Sequence, residues 1–141
     1  MLHRVVVPID APAEVAWRVL ADLEHWPTWT DSMTTVERVG TGVLAPGLRV
    51  KVKQPKLPQA EFQVTAVEVG RSFCWVSEGP GITSTATHEI ATTSDHRSEV
   101  TLTFEMTGWL GGITGSLFGR LIRRYVQMEA DGLAEASARA R

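Results

Sequence analysis

The hydrophobic period of the chain changes more than once along its length. Residues 2–9 read as a strand, stopped where Pro8 withholds a donor and Asp10 turns the chain. Over residues 12–23 the period becomes helical, with Val15, Ala16, Val19, Leu20 and Leu23 on one face. Pro12 suits the opening of that helix, because a missing N–H costs nothing in a first turn. Residues 24–29 then form a short second helix or turn, closing on Trp26-Pro27-Thr28-Trp29.

Strand periodicity returns after this corner. Residues 33–39 make a weak strand. Residues 48–53 alternate cleanly, with Leu48, Val50 and Val52 on one face and Arg49, Lys51 and Lys53 on the other. That is the mark of an antiparallel strand wet on one side. Gln54-Pro55-Lys56-Leu57-Pro58 interrupts it, since proline cannot donate to a central ladder. Further strands are expected at 61–69, 72–77, 82–92 and 98–107, joined by turns at Gly70-Arg71, Gly79-Pro80-Gly81 and Ser94-Asp95-His96.

Residues 110–138 read as one long helix. Leu110, Leu117, Leu121, Tyr125 and Met128 form a stripe, widened by Phe118, Ile122 and Val126, while Arg120, Arg123, Gln127 and Asp131 take the other side. The apolar arc spans about half the circumference, wider than the ~100° that an amphipathic helix needs. A helix wrapped by a curved sheet accounts for such a face. Gly111, Gly115 and Gly119 recur every four residues, each costing about 1 kcal/mol relative to Ala in a helix interior. Close backbone packing or a mobile segment gating an entrance would offset that cost. A phosphate loop is disfavoured, because no Gly-Lys-Ser/Thr ends the run. Antiparallel strands between helices, without alternating β-α units, argue for an α+β fold and against a doubly wound sheet.

At 141 residues one domain spanning 1–141 is expected, burying about 68% of its unfolded surface. The 14 basic and 16 acidic residues leave no electrostatic footprint for nucleic acid and no basic run to favour an anionic membrane. Cys74 stands alone in Phe73-Cys74-Trp75-Val76, so it is expected to be an inert thiol in a cytoplasmic protein. The first residues lack the apolar core and cleavage site of a signal peptide. The uncharged stretch from Thr107 to Gly119 falls short of the ~20 residues needed to span a bilayer, so no stable membrane insertion is expected.

The run Pro8-Ile9-Asp10-Ala11-Pro12-Ala13-Glu14-Val15-Ala16-Trp17, the corner Asp22-Leu23-Glu24-His25-Trp26-Pro27-Thr28-Trp29 and the long last helix carry a resemblance. Over nearly its whole length the chain resembles the START-like superfamily, also called SRPBCC, in its polyketide cyclase/dehydrase and lipid-transport-like branch. The resemblance implies a helix-grip fold: a curved antiparallel sheet wrapped around the C-terminal helix, with two short helices after the first strand. It also implies an apolar cavity between sheet and helix.

Strand parity proposes the lining of that cavity. Val50, Val52, Phe62, Val64, Phe73, Trp75, Ala86, His88, Leu102, Phe104 and Met106 share the inward parity, and the helix adds Leu117, Leu121 and Tyr125. Trp29 matches the family's corner beside the cavity mouth. These side chains also suit a solid core, and a β-bulge would flip the parity beyond it. His88 is the candidate for catalysis, as a general base or as a hydrogen-bond partner for a ligand carbonyl or hydroxyl. A satisfied core histidine is the alternative. Glu61, Glu89, Glu99 and Glu105 fall on the outer face, so no His–carboxylate dyad is expected, and Glu129 is expected to pair with Arg4 or another rim cation. His3, His25, His88 and His96 share no ligand spacing, so neither metal nor cofactor is expected. Trp109 would mark a portal if exposed.

Two functions from different classes follow. The first is a carrier or sensor holding a hydrophobic or aromatic small molecule, such as a lipid or polyketide. The second, implied by the family resemblance, is a polyketide cyclase, aromatase or dehydratase. Ligand identity and oligomeric state are not written in the pattern.

Overall fold

The computed structural model describes residues 1–141. Its elements are β1 (Leu2–Ile9), α1 (Ala13–Ala21), a 3-10 helix (Leu23–Thr28), β2 (Thr35–Arg38), β3 (Arg49–Lys53), β4 (Ala60–Glu68), β5 (Ser72–Gly79), β6 (Ile82–Ser94), β7 (Arg97–Thr107) and α2 (Gly111–Ala140). The strands form one 7-stranded sheet in the order β1-β7-β6-β5-β4-β3-β2. Every pairing is antiparallel. The sheet is curved, and α2 packs against β1, β7 and α1. This is the helix-grip architecture expected above.

Local chemistry explains the turn from β1 into the helices. Pro12 sits just before α1, and its carbonyl accepts the N–H groups of Val15 and Ala16 at 3.0 and 3.2 Å. Ser98 Oγ donates to the Ala11 carbonyl at 2.8 Å and pins this turn to β7. α1 stops at Ala21, before Leu23, because the Trp26 indole N–H folds back to donate to the Leu20 carbonyl at 2.8 Å. An otherwise orphaned helix-end acceptor is thereby satisfied. Arg38 Nε donates to Glu24 Oε1 at 2.9 Å and ties the 3-10 helix to β2. Burial raises the Glu24 carboxyl, but the Arg38 hydrogen bonds and charge outweigh it and hold the group below its ordinary value.

Two departures from strict periodicity shape the interior. The β4–β5 register shifts between Val64 and Ala66, so Val67, not Ala66, faces Phe73 across the pair. A bulge of this kind leaves one residue unpaired and reverses parity beyond it. In α2 the buried face carries Ile122, Tyr125, Val126, Glu129, Ala130, Gly132 and Leu133. Leu117, expected on the inward stripe, is 73% exposed, and Leu121 is half-buried. Hydrophobicity alone rotated the expected stripe, because the true inner face includes a carboxylate and small residues that score poorly. The core at the closed end of the grip holds Ile9, Leu20, Leu23, Trp26, Phe73, Trp75, Val100 and Leu133, all at 2% exposure or less. Full burial of each large aliphatic or aromatic side chain contributes about 1.5–3 kcal/mol.

Candidate functional site

Between α2 and the inner face of the sheet lies a cavity of about 260 Å³. Cross-strand register builds its floor. Trp75 pairs with Ala86 and Ala86 with Phe104; Ser84 pairs with Met106; Val52 pairs with Ala60, next to Phe62 on β4. α2 supplies the roof through Thr114, Phe118, Ile122, Tyr125, Val126 and Glu129, and Met33 closes one side.

The remaining wall is the interruption between β3 and β4. Gln54, Leu57 and Pro58 line the cavity. The Leu57 N–H donates to the Gln54 carbonyl at 3.2 Å, and Lys56 has φ 67°. With Pro55 second and a positive φ third, the four residues make a type II turn, in which Gly or Asn normally takes the place of Lys56. Two side chains hold it. Lys53 Nζ donates to the carbonyls of Gln54 and Leu57, and Tyr125 Oη donates to the Pro55 carbonyl, joining the turn to α2.

One pole of the cavity is polar. His88 on β6 lies in a cage of rings: stacked on Phe73 at 4.1 Å and 13°, with Trp26 and Trp75 presenting to it at 5.5 and 5.4 Å. Its Nδ1–H donates to the Phe73 carbonyl at 3.3 Å. A carbonyl only accepts, which assigns a proton to Nδ1. Nε2 then faces Glu129 Oε1 at 3.4 Å, with the two side chains 3% and 11% exposed. The two side chains stand close enough for a proton on either to bridge them. Glu129 Oε1 is buried and makes no hydrogen bond of its own. Chemically, the arrangement can accept a hydrogen bond from a guest, or pass it a proton.

The structure brings together Val52, Phe62, Trp75, Ala86, His88, Phe104 and Tyr125 around the cavity. Val50, Val64, Phe73 and Leu102 are buried but lie outside its lining. Phe73 and Leu102 flank His88 in the ladder, and Phe73 is covered by Trp17 and Trp26. Parity assigns a face and says nothing of depth along the strand. Leu117 and Leu121 do not line the cavity either, being rotated away with the outer side of α2. Trp29 stands apart in a shallow cleft with Val15, Arg18, Val19, Asp22 and His25. Its indole is held by α2, where Gly132 lets the helix backbone pass close to the Trp29 carbonyl.

The expectation of no inward carboxylate is corrected here. Glu129 meets His88 and not Arg4. It comes from the helix, and a search along the strands passes over it; its place at the edge of the apolar arc was the available signal. Leu57, Pro58 and Gln54 were hidden by the broken strand pattern. Trp109 is 78% exposed. No three His, Cys, Asp or Glu side chains gather where a metal ion would need them.

Residues 3–138 match the family described as polyketide cyclase / dehydrase and lipid transport. Several solved structures share the fold at low identity. The Zhui aromatase/cyclase of Streptomyces sp. R1128 superposes with a TM-score of 0.81 at 17% identity, covering 100% of this chain and 96% of that one. The protein TTHA0849 of Thermus thermophilus gives 0.80 at 18%, covering 99% of each. A truncated norcoclaurine synthase of Thalictrum flavum gives 0.71 at 14%, covering 96% of this chain and 91% of that one. No curated protein is significantly similar to the chain in sequence.

Proposed function

The chain belongs to the polyketide cyclase / dehydrase and lipid transport family, and we propose that it holds a small, mainly apolar aromatic molecule in the cavity under α2. The observation that carries this reading is the buried His88–Glu129 pair in a chamber whose lining is mainly apolar. A buried acceptor without a partner, Glu129 Oε1, sits beside His88. Burying such a group unsatisfied costs on the order of 1–3 kcal/mol. A guest presenting a hydroxyl or N–H at that point, and a ring against Trp75, Phe62 and Phe104, would relieve it.

Volume supports the same conclusion. A closed, dry hole is penalised by about 24 cal/mol per Å³, so a chamber of about 260 Å³ would forfeit at most on the order of 6 kcal/mol, and less where water enters its open side. That is a large share of a typical total stability of about 5–15 kcal/mol. Filling the chamber therefore stabilises the fold. At a hundredfold excess over its dissociation constant, a ligand contributes about 2.7 kcal/mol, several degrees in melting temperature.

A second reading, catalysis on a bound poly-ketone, is favoured by one feature: a histidine and a carboxylate, His88 and Glu129, stand side by side at the cavity wall. Removing a proton between two carbonyls needs a base within reach and a donor for the enolate. His88–Glu129 would supply the first; Tyr125 would supply the second only by releasing the Pro55 carbonyl to which its hydroxyl donates. The fold relatives named as an aromatase/cyclase and a synthase make this reading worth testing and do not decide it.

The experiment is a thermal-shift screen of fatty acids, steroids, flavonoids and aromatic polyketides on the wild type, Glu129→Gln and His88→Ala. Binding predicts a rise of several degrees with an aromatic hydroxyl compound, reduced in Glu129→Gln. No shift with any class defeats the proposal. A poly-ketone mimic turned over by the wild type, but only bound by His88→Ala, establishes the enzymatic reading.

A further inference from the structure

The first turns of α2 carry a surface that the cavity does not use. Ile113 is 57% and Leu117 73% exposed, and Trp109, just before the helix, is 78% exposed. Ile113, Leu117, Arg120 and Arg124 follow one another at spacings of four, three and four, which puts them on a single face of the helix. Arg120, Arg123 and Arg124 are all exposed. None of them enters an ion pair. From Gly111 to Met128 the helix has no carboxylate at all, although the chain as a whole has a net charge of -2. The charge of Arg123 is felt on β1, where burial and then that charge lower the pKa of His3. The near balance of charges in the composition concealed this cluster, which appears only once the helix is formed.

We infer that this face is a peripheral docking surface for an anionic lipid bilayer, with Trp109, Ile113 and Leu117 entering the headgroup boundary and Arg120, Arg123 and Arg124 meeting lipid phosphates. Apolar side chains flanked by unpaired arginines, on a helix too polar to span, fit the interface between acyl chain and headgroup. No helix is long and apolar enough to cross a membrane, so the contact is lateral. A free protein partner would need carboxylates matched to a flexible arginine row. A bilayer supplies anions at every position and also takes up the indole, as interfacial tryptophans do. The placement has a consequence for the chamber. Thr114 and Phe118, on the same turns, form part of the cavity wall, so docking brings that wall to the lipid surface.

Co-sedimentation with vesicles tests this. The wild type is expected to sediment with mixed phosphatidylcholine–phosphatidylserine vesicles at low salt, to be released at high salt, and to ignore phosphatidylcholine alone. Each arginine contributes about fivefold in partition. The combined Arg120→Gln, Arg123→Gln and Arg124→Gln variant therefore loses on the order of a hundredfold. Trp109→Ser with Leu117→Ser weakens binding at low and high salt alike. All five positions are exposed, so unchanged melting temperatures will show that the variants fold. Failure to bind mixed vesicles overturns the inference, as does binding to both vesicle types that the arginine variant leaves intact. A concentration-dependent dimer that Leu117→Ser disperses, without vesicle binding, assigns the face to a second copy instead.

Discussion

From Glu129 to Ser137, α2 buries Glu129, Ala130, Gly132, Leu133 and Ser137, whereas between Gly112 and Phe118 it leaves Ile113, Leu117 and Phe118 exposed. One continuous helix thus meets the rest of the protein on two different terms. Its second half is a structural spine: Leu133 and Ala130 are at 0% exposure, and α1 packs against it. Its first half covers the cavity with few anchors, chiefly Gly111 against Met106 and Gly115 against Met1. Local stability follows buried apolar contact. The first half is therefore where opening costs least, and it is also where Thr114 and Phe118 line the chamber. For the ligand binding proposed above, such an asymmetry gives a guest a way in, because a helix fixed at both ends would admit nothing.

The largest expected effect tests the spine. A Cβ on Gly132 would stand 2.2 Å from the Trp29 carbonyl oxygen and 3.1 Å from its indole. The obstacle is backbone, so it cannot rotate aside. Gly132→Ala should separate α2 from the Trp26–Trp29 corner, costing about 3 kcal/mol, at the upper end of the overpacking range, despite alanine's better helix propensity. Chemical denaturation measures it. A variant as stable as the wild type would mean that the second half of α2 is no more tightly held than the first.

The opposite sign is expected in the looser half. At Gly119 a Cβ meets nothing within 4 Å, and the position is interior to the helix. Gly119→Ala should therefore stabilise the protein by up to about 1 kcal/mol, the propensity difference between the two residues. Close packing explains Gly111 and Gly115 but leaves Gly119 without a structural reason. If flexibility there serves entry to the chamber, the stabilised variant will exchange ligand more slowly at similar affinity. Stopped-flow release of a bound fluorescent aromatic compound, alongside a melting curve, separates the two effects. A destabilised Gly119→Ala would show that this stretch departs from regular helix in solution.

The same contrast governs what could be read from the sequence. Elements with one wet face and one dry face were legible: β3 was located to within a residue, and the order of strands and helices followed from period together with the proline and glycine breaks. The corner was legible because Trp26-Pro27-Thr28-Trp29 is a local chemical signature. The site was legible only in part. His88 was found because parity places it inside, but its partner Glu129 sits a helix away, and no local pattern relates positions 88 and 129. Leu117 misled because a leucine contributes to the hydrophobic period whether or not anything covers it. Depth was the other missing quantity. Phe73 and Trp75 share a strand face, yet only Trp75 reaches the cavity, because Phe73 packs against Trp17 of α1 and Trp26 of the corner.

The smallest effects come from two histidines, one near each half of α2, with opposite signs. His25 lines the cleft that also holds Ala140, at the end of the spine. A hydrogen bond to the Asp22 carboxylate at 2.8 Å, and then its charge, raise the His25 pKa above the ordinary 6.5. The folded state therefore binds this proton more tightly than the unfolded chain. The resulting stability is fully present below about pH 6.5 and fades as pH rises through the raised folded value. His3, beside Arg123, is lowered by burial and then by that charge, so its linkage runs the other way. It favours the folded state above about pH 6.5 and withdraws that support as pH falls toward the lowered value. Melting temperatures measured from pH 5 to 8 should show His25→Gln removing a stabilisation on the acid side of this window, and His3→Gln removing a penalty there. His25 is exposed and His3 partly buried, so solvent screening keeps each change small, most of all at His25. The sign is the informative result: two variants shifting the profile in the same direction would mean that Arg123 does not stand beside β1 as described, which would also weaken the case for a continuous positive surface on the first half of α2.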